Sequence, residues 1–138
     1  MKPFKLFIVL IPICILLSFN FPLKDPVHQL RIYTIPPSNE KAFNDRFHDH
    51  ALRIMKKYDF HVVATWESRY KDKLEFIYLL EWPDQQTMTG AWAKFMADEE
   101  WIAIKKETSK VHGSFVEDIE DRTLSLTDYS PARSFLSR

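Results

Sequence analysis

Arg31 and Tyr33 alternate with Leu30 and Ile32 in the run VHQLRIYTI, so in an extended segment the two sets face opposite sides. If the aliphatic pair meets the helices, Arg31 and Tyr33 face the other side of the sheet, where Thr65, Glu67 and Glu81 from two later runs could join them. An Arg–Glu pair inside a cavity binds a carboxylate or polarises a carbonyl. Closed on itself, the same pair is a structural salt bridge, and no local pattern fixes the register that decides between the two. Trp66, Phe76, Tyr78 and Trp82 make those runs aromatic-rich, as ordinary core or as the wall of a pocket for an apolar or cyclic ligand.

His50 stands three residues after Phe47 and four before Ile54, on the apolar side of a helical pattern. A buried imidazole must be hydrogen-bonded. It is therefore either a structural histidine held by a backbone carbonyl or strand side chain, or a general base or ligand contact, haem included. His48 and His50 are not a chelating pair, because two residues apart on a helix they point roughly 200° away from each other. His28, His61 and His112 fall near strand starts, where exposure is the default. The candidate pocket is thus Arg31, Tyr33, His50, Thr65, Glu67, Tyr78 and Glu81, with no metal and no cofactor assigned.

Several chemistries are excluded outright. No phosphate-cradling glycine loop, nucleophile elbow or zinc-ligand spacing is present. Cys14, the only cysteine, lies in an N-terminal apolar run, which removes disulfides, a thiolate nucleophile and Cys-based metal sites from the folded part. The 19 basic groups balance 19 acidic ones, and without Lys2 and Lys5 the remaining 17 leave a net charge of −2. A nucleic-acid binder would carry a basic excess.

The elements that must position these residues follow from pattern. The 138 residues, 46% hydrophobic with 2 glycines, suit one packed domain. Val27 to Ile35 reads as a strand stopped by Pro36-Pro37, then a helix capped by Ser38 or Asn39 with Phe43, Phe47, Ala51, Ile54 and Met55 on one side. Phe60 to Tyr70 and Leu74 to Trp82 flank the polar turn Lys71-Asp72-Lys73 as a hairpin. Asp84 caps a helix bearing Met88, Trp92, Phe95 and Met96, and Asp98-Glu99-Glu100 opens a shorter helical segment bearing Trp101 and Ile104. Val111 to Leu126, broken at Gly113, supplies the last strand. The expectation is an α+β, ferredoxin-like βαββαβ domain over residues 27–126, with a linker at 21–26 and a tail at 127–138.

The run LEFIYLLEW decides what covers the sheet. Leu74, Phe76, Tyr78, Leu80 and Trp82 form one face, while Ile77 and Leu79 make the other largely apolar as well. Each exposed large side chain forfeits ~1.5–3 kcal/mol of burial. With no helices left, a second copy is the economical cover, giving an isologous homodimer whose two sheets enclose a barrel.

The runs LRIYTI (30–35), HALRIMKKYDF (50–60), LLEWPDQQTM (79–88), AWAKFMADEEW (91–101) and IEDRTLSLTDYSP (119–131) resemble the NIPSNAP family, in the right order over nearly the whole chain after the N-terminal segment. The resemblance implies the dimeric α/β-barrel superfamily, which holds small-molecule monooxygenases, haem-using enzymes and proteins with no assigned activity. It transfers no settled catalytic residues, and the fold alone does not give the reaction. The functions left open are binding or conversion of a small apolar or aromatic molecule in the barrel, a non-catalytic interaction protein of the cell envelope, and a haem-using or cofactor-independent monooxygenase-like enzyme.

Animal NIPSNAP members are linked to mitochondria and vesicle traffic, and the N-terminus here departs from that setting. Lys2 and Lys5 precede the twelve-residue apolar run Leu6 to Leu17, which is short for a membrane span of ~20 residues. Residues 1–20 read as a secretory signal, sending the chain to the periplasm or outside the cell. No small-residue cleavage site is evident near Ser18 to Asn20, so the alternative is an uncleaved anchor over residues 6–23, the only membrane contact expected.

Overall fold

The computed structural model describes residues 26–135, so the N-terminal apolar run expected to be a signal or anchor and almost all of the linker lie outside the described residues. Strand β1 (Val27–Ile35) ends where Pro36 and Pro37 withdraw two successive amide donors. After a 3₁₀ turn come helix α1 (Glu40–Arg46), a π-helical turn (Phe47–Ala51) and helix α2 (Leu52–Lys57). Strands β2 (His61–Tyr70) and β3 (Lys73–Trp82) form the hairpin, followed by α3 (Gln85–Ala97), α4 (Glu99–His112) and β4 (Asp118–Leu124). The sheet order is β2-β3-β1-β4 with every pair antiparallel, the ferredoxin-like arrangement.

The hairpin closes through Lys71 and Asp72, whose φ angles of 47° and 61° make a two-residue turn matching the twist of its strands. Asp84 and Asp98 cap α3 and α4, accepting from the Thr87 and Trp101 amides at 2.7 and 2.9 Å. Asn39 precedes α1 but does not cap it. Its buried side chain instead donates to the carbonyls of His112 and Ser114, tying the start of α1 to the end of α4. The second helical segment is not short: α4 carries Val111 and His112 and stops at Gly113, whose φ of 66° ends the helix. The last strand therefore begins at Asp118 rather than Val111.

Register divides the side chains cleanly. Leu74, Phe76, Tyr78, Leu80 and Trp82 of β3 lie under the helices, as do Gln29, Arg31, Tyr33 and Ile35 opposite them on β1. The Phe47 ring meets Phe76 and Tyr78 at 4.5 and 5.2 Å, and Phe60 meets Trp82 and Trp92 at 4.7 and 4.8 Å. Burying each of the rings Phe47, Phe60, Phe76, Tyr78 and Trp82 contributes ~1.5–3 kcal/mol to the core. The other face carries Leu30, Ile32, Ile77 and Leu79, all half-buried, with Ala64 and Trp66 alongside; Trp66 is 49% exposed. This open face is apolar without a helix over it, and β4 at the sheet edge is exposed along its length.

Candidate functional site

The expected cluster splits across the sheet. Arg31 and Tyr33 point to the helices, because Leu30 and Ile32 take the open face; the conditional that put the polar pair on the barrel side is reversed. A bulge at Val63 completes the split. His61 pairs with Glu81 and Val62 with Leu80, but Ala64 already pairs with Leu79, so beyond the bulge Thr65 and Glu67 share the helix side with Tyr78 and Phe76. Glu81 is left on the open face. The sequence shows only a break in alternation at Val62-Val63.

Arg31, Tyr33 and Tyr78 do come together under the helices. Arg31 Nη2 donates to the Tyr33 hydroxyl at 2.9 Å, and the Tyr33 and Tyr78 hydroxyls are 3.0 Å apart. The same guanidinium donates to Asp121 Oδ2 at 2.5 Å and lies 4.6 Å from the Trp92 ring centre. Gln29, 2% exposed, joins the set: its amide donates to both Asp121 oxygens and its carbonyl accepts from the Trp82 and Trp92 indoles at 3.2 and 2.8 Å. Burial works against the Arg31 charge, but Tyr33, Tyr78 and Asp121 outweigh it and hold the guanidinium above its ordinary pKa. Burial drives the Tyr78 hydroxyl well above 10, so it stays protonated. Of the two readings open for Arg31, the closed ion pair is what the structure contains, with Asp121 rather than Glu81 as partner. Neither Gln29 nor Asp121 is evident from sequence, since their meeting depends on β4 pairing with β1.

The other candidates sit apart. Glu67, solvent-exposed at the β2 edge, accepts from Asn44 Nδ2 of α1 at 2.6 Å, and Thr65 lines an open depression with Asn44, His48 and Phe76. His50 lies in the π turn, half-buried and without a hydrogen-bond partner among the described residues, so it is not the fully buried, bonded imidazole its helical position predicts. His48, exposed, bonds to Asp49. Among the described residues no three His, Cys, Asp or Glu side chains come together to hold a metal.

On the open face His28, Glu81 and His61 lie side by side on β1, β3 and β2, while Thr34, Glu75 and Ser68 form a second polar row at the other end and Glu120 and Arg122 flank the apolar middle on β4. His28 is 2% exposed, against the exposure its place near a strand start predicts, and Glu81 is 1% exposed. The C-terminal tail buries them. Ser134 Oγ and the Phe135 amide donate to Glu81 at 2.5 and 2.6 Å, His28 Nε2 lies 3.1 Å from the same carboxylate, and the Phe135 ring packs edge-on against His28 at 5.2 Å. His28 Nδ1 is buried without a partner. Beside this pair runs a groove of about 380 Å³, lined by His28, Leu79, Leu124, Leu126 and Phe135. The groove is open to solvent, and few polar atoms interrupt its apolar walls.

The NIPSNAP family profile matches residues 28–131. An uncharacterized NIPSNAP domain protein from Burkholderia xenovorans superposes with a TM-score of 0.65 at 17% identity, over 77% of this chain and 99% of its own. A NIPSNAP family protein from Agrobacterium tumefaciens str. C58 gives 0.67 at 18% identity, over 78% and 99%. A dimeric ferredoxin-like protein from an uncultured marine organism gives 0.52 at 11% identity, over 79% and 95%. No curated protein matches the chain. At these identities the solved structures speak for the ferredoxin-like fold alone, whereas the profile covers all four strands but for Val27, every helix among the described residues and the start of the tail: the chain belongs to the NIPSNAP family.

Proposed function

We propose that this NIPSNAP protein is a homodimer joined open face to open face, which holds a small, mostly apolar molecule in the groove beside His28 and Glu81. The observation that carries the reading is the row Leu30, Ile32, Trp66, Ile77 and Leu79, apolar and incompletely covered across the middle of the sheet. A monomer leaving that row in water would forgo much of its burial energy, and a two-fold copy presents the complementary surface automatically. The relative described as dimeric and ferredoxin-like supports the pairing. The tail covers the His28 end of the face, so the groove sits where two packed sheets would leave an opening. Binding rather than turnover is proposed: Glu81 is committed to Ser134, Phe135 and His28.

A non-catalytic envelope protein that uses the same face for another protein is the second reading, favoured by the apolar face alone. Export follows from Lys2, Lys5 and the run Leu6 to Leu17. Sedimentation equilibrium and native mass spectrometry of the full-length protein test the main reading. A dimer carrying a non-covalent compound of a few hundred daltons, released on unfolding, is the expected result. A monomer at about 50 μM would overturn the pairing, and a dimer that neither retains a compound nor takes up 1-naphthol would overturn the binding.

A further inference from the structure

We propose that Arg46 and the slot beside it form a second binding site, on the helix side of the sheet, for the carboxylate head of a small organic acid. Arg46 is the last residue of α1, and its guanidinium is tucked against the core. It lies 3.9 Å from the Phe115 ring centre and 5.6 Å from that of Trp101. Its hydrogen bond is to a neutral group: Nη1 donates to Thr108 Oγ1 at 3.0 Å, and that hydroxyl in turn donates to the carbonyls of Ile104 and Lys105. Arg31, Arg53, Arg69 and Arg122 each meet a carboxylate. Arg46 meets none among the described residues, although it is more enclosed than the surface pairs.

An arginine has five N–H donors and Arg46 spends one on the protein. Burial lowers its pKa to about 10, only partly opposed by Tyr33, so the group stays charged at neutral pH at a cost that a bound anion would remove. A cation held half-buried on aromatic rings with no internal counter-ion is an unfinished ion pair.

The slot supplies the rest. Arg46 lines it with Tyr33, Phe43, Phe47, Met55 and Phe95, and its volume is about 50 Å³. A single water needs roughly 10–15 Å³ on that measure, so the space accommodates a carboxylate with a few carbons, not a whole aromatic compound. The π turn makes this room: Phe47 and Ala51 are its two ends, both line the slot, and at Ala51 a methyl stands where a longer side chain would fill it. Single π turns inside helices recur at functional sites. The chemistry selects the guest. A planar guanidinium matches a carboxylate with two parallel N–H···O bonds, one negative charge balances one positive, and the apolar walls favour a short alkyl body over a fully hydrated anion.

The test is calorimetric titration of the full-length protein with propionate, with propionamide and inorganic phosphate as comparators. Propionate is expected to saturate at one per protomer, with propionamide and phosphate at least tenfold weaker. Arg46→Gln should weaken propionate at least tenfold and Arg46→Lys by less, since a lysine keeps the charge but loses the paired geometry. Thermal melts and sedimentation of both variants check that fold and oligomeric state are unchanged, which separates this site from the open-face pairing. Absence of saturable propionate binding, equal binding to Arg46→Gln, or phosphate binding tighter than propionate would each overturn the assignment.

Discussion

Ile77 sits at the centre of the open face, opposite Ile32 on β1 and Trp66 on β2. Replacing it with aspartate leaves the helix-side core untouched and places a carboxylate where the two sheets are proposed to meet. Its side chain is half-buried in the monomer, so completing its burial is worth about half of the ~1.5–3 kcal/mol for a full aliphatic side chain. A carboxylate there forfeits that gain and adds a desolvation cost of at least ~1–3 kcal/mol. Two-fold symmetry places the change in both copies, giving a total of about 4 kcal/mol or more, a weakening of about a thousandfold or more. Sedimentation equilibrium from about 0.1 to 100 μM measures the dissociation constant, and circular dichroism melts confirm that the Ile77→Asp monomer folds. Val111→Asp, at a position 77% exposed at the end of α4, is the control and should leave the constant unchanged. A dissociation constant for Ile77→Asp within threefold of the parent would refute open-face pairing, because no isologous contact across this face can avoid its centre.

Gln29→Leu removes the acceptor shared by the buried Trp82 indole and the part-buried Trp92 indole and should cost about 1–3 kcal/mol in urea unfolding for the buried donor, with a smaller addition for Trp92; a loss under about 0.5 kcal/mol would mean that water replaces the amide. Lys71→Asn with Asp72→Gly gives the turn residues that tolerate positive φ and should stabilise the hairpin by about 1 kcal/mol, read as a raised urea midpoint with unchanged slope. The Glu100 carboxyl is held down to about 2 by its hydrogen bonds from Arg53 and Lys57. A depressed folded-state pKa contributes stability above the ordinary 4.5 that is lost as pH falls through about 2, so the difference in Tm between the parent and Glu100→Gln should shrink across that window. The pair is exposed, so about 0.5 M salt should also diminish the difference; a gap constant from pH 6 to 2 would show that Glu100 contributes no such term.

The fold was legible because its signals are local. Pro36-Pro37, the polar Lys71-Asp72 turn and the caps Asp84 and Asp98 each mark a boundary through the chemistry of one or two residues. The α4 boundary was misplaced because Val111 is β-branched and apolar yet 77% exposed on a helix, where the preceding turns rather than its propensity decide. The candidate site was only partly legible, because its membership depends on register. A single extra residue at Val63 sends Thr65 and Glu67 to one face and leaves Glu81 on the other. The choice of face for Arg31 rests on whether helices prefer Leu30 and Ile32 or the long amphipathic pair, and here Arg31 and Tyr33 bury their stems under α3 and α1 while the Arg31 Nη atoms reach Asp121 and Tyr33 and the Tyr33 hydroxyl meets Tyr78, leaving Arg31 Nε buried without a partner. The burial of His28 comes from a tail more than a hundred residues away, a contact no window around His28 contains.

That tail also constrains how the two proposed features of the open face coexist. Glu81 is a buried carboxylate, and the cost of taking it from water is offset in part by hydrogen bonds to the Ser134 hydroxyl, the Phe135 amide and His28. The partner copy therefore cannot displace the tail without leaving that charge to find new donors. The apolar row Ile32, Ile77 and Trp66 lies in the middle of the face, short of the polar row Thr34, Glu75 and Ser68, and the Trp66 indole N–H is its one side-chain polar group. In the proposed dimer, tail and partner copy would divide the face by chemistry: the His28–Glu81 end is closed by the chain itself, and the apolar middle is left for association. The groove lined by Leu79, Leu124 and Phe135 lies at the border between them, where a guest would touch the tail and the approaching sheet at once.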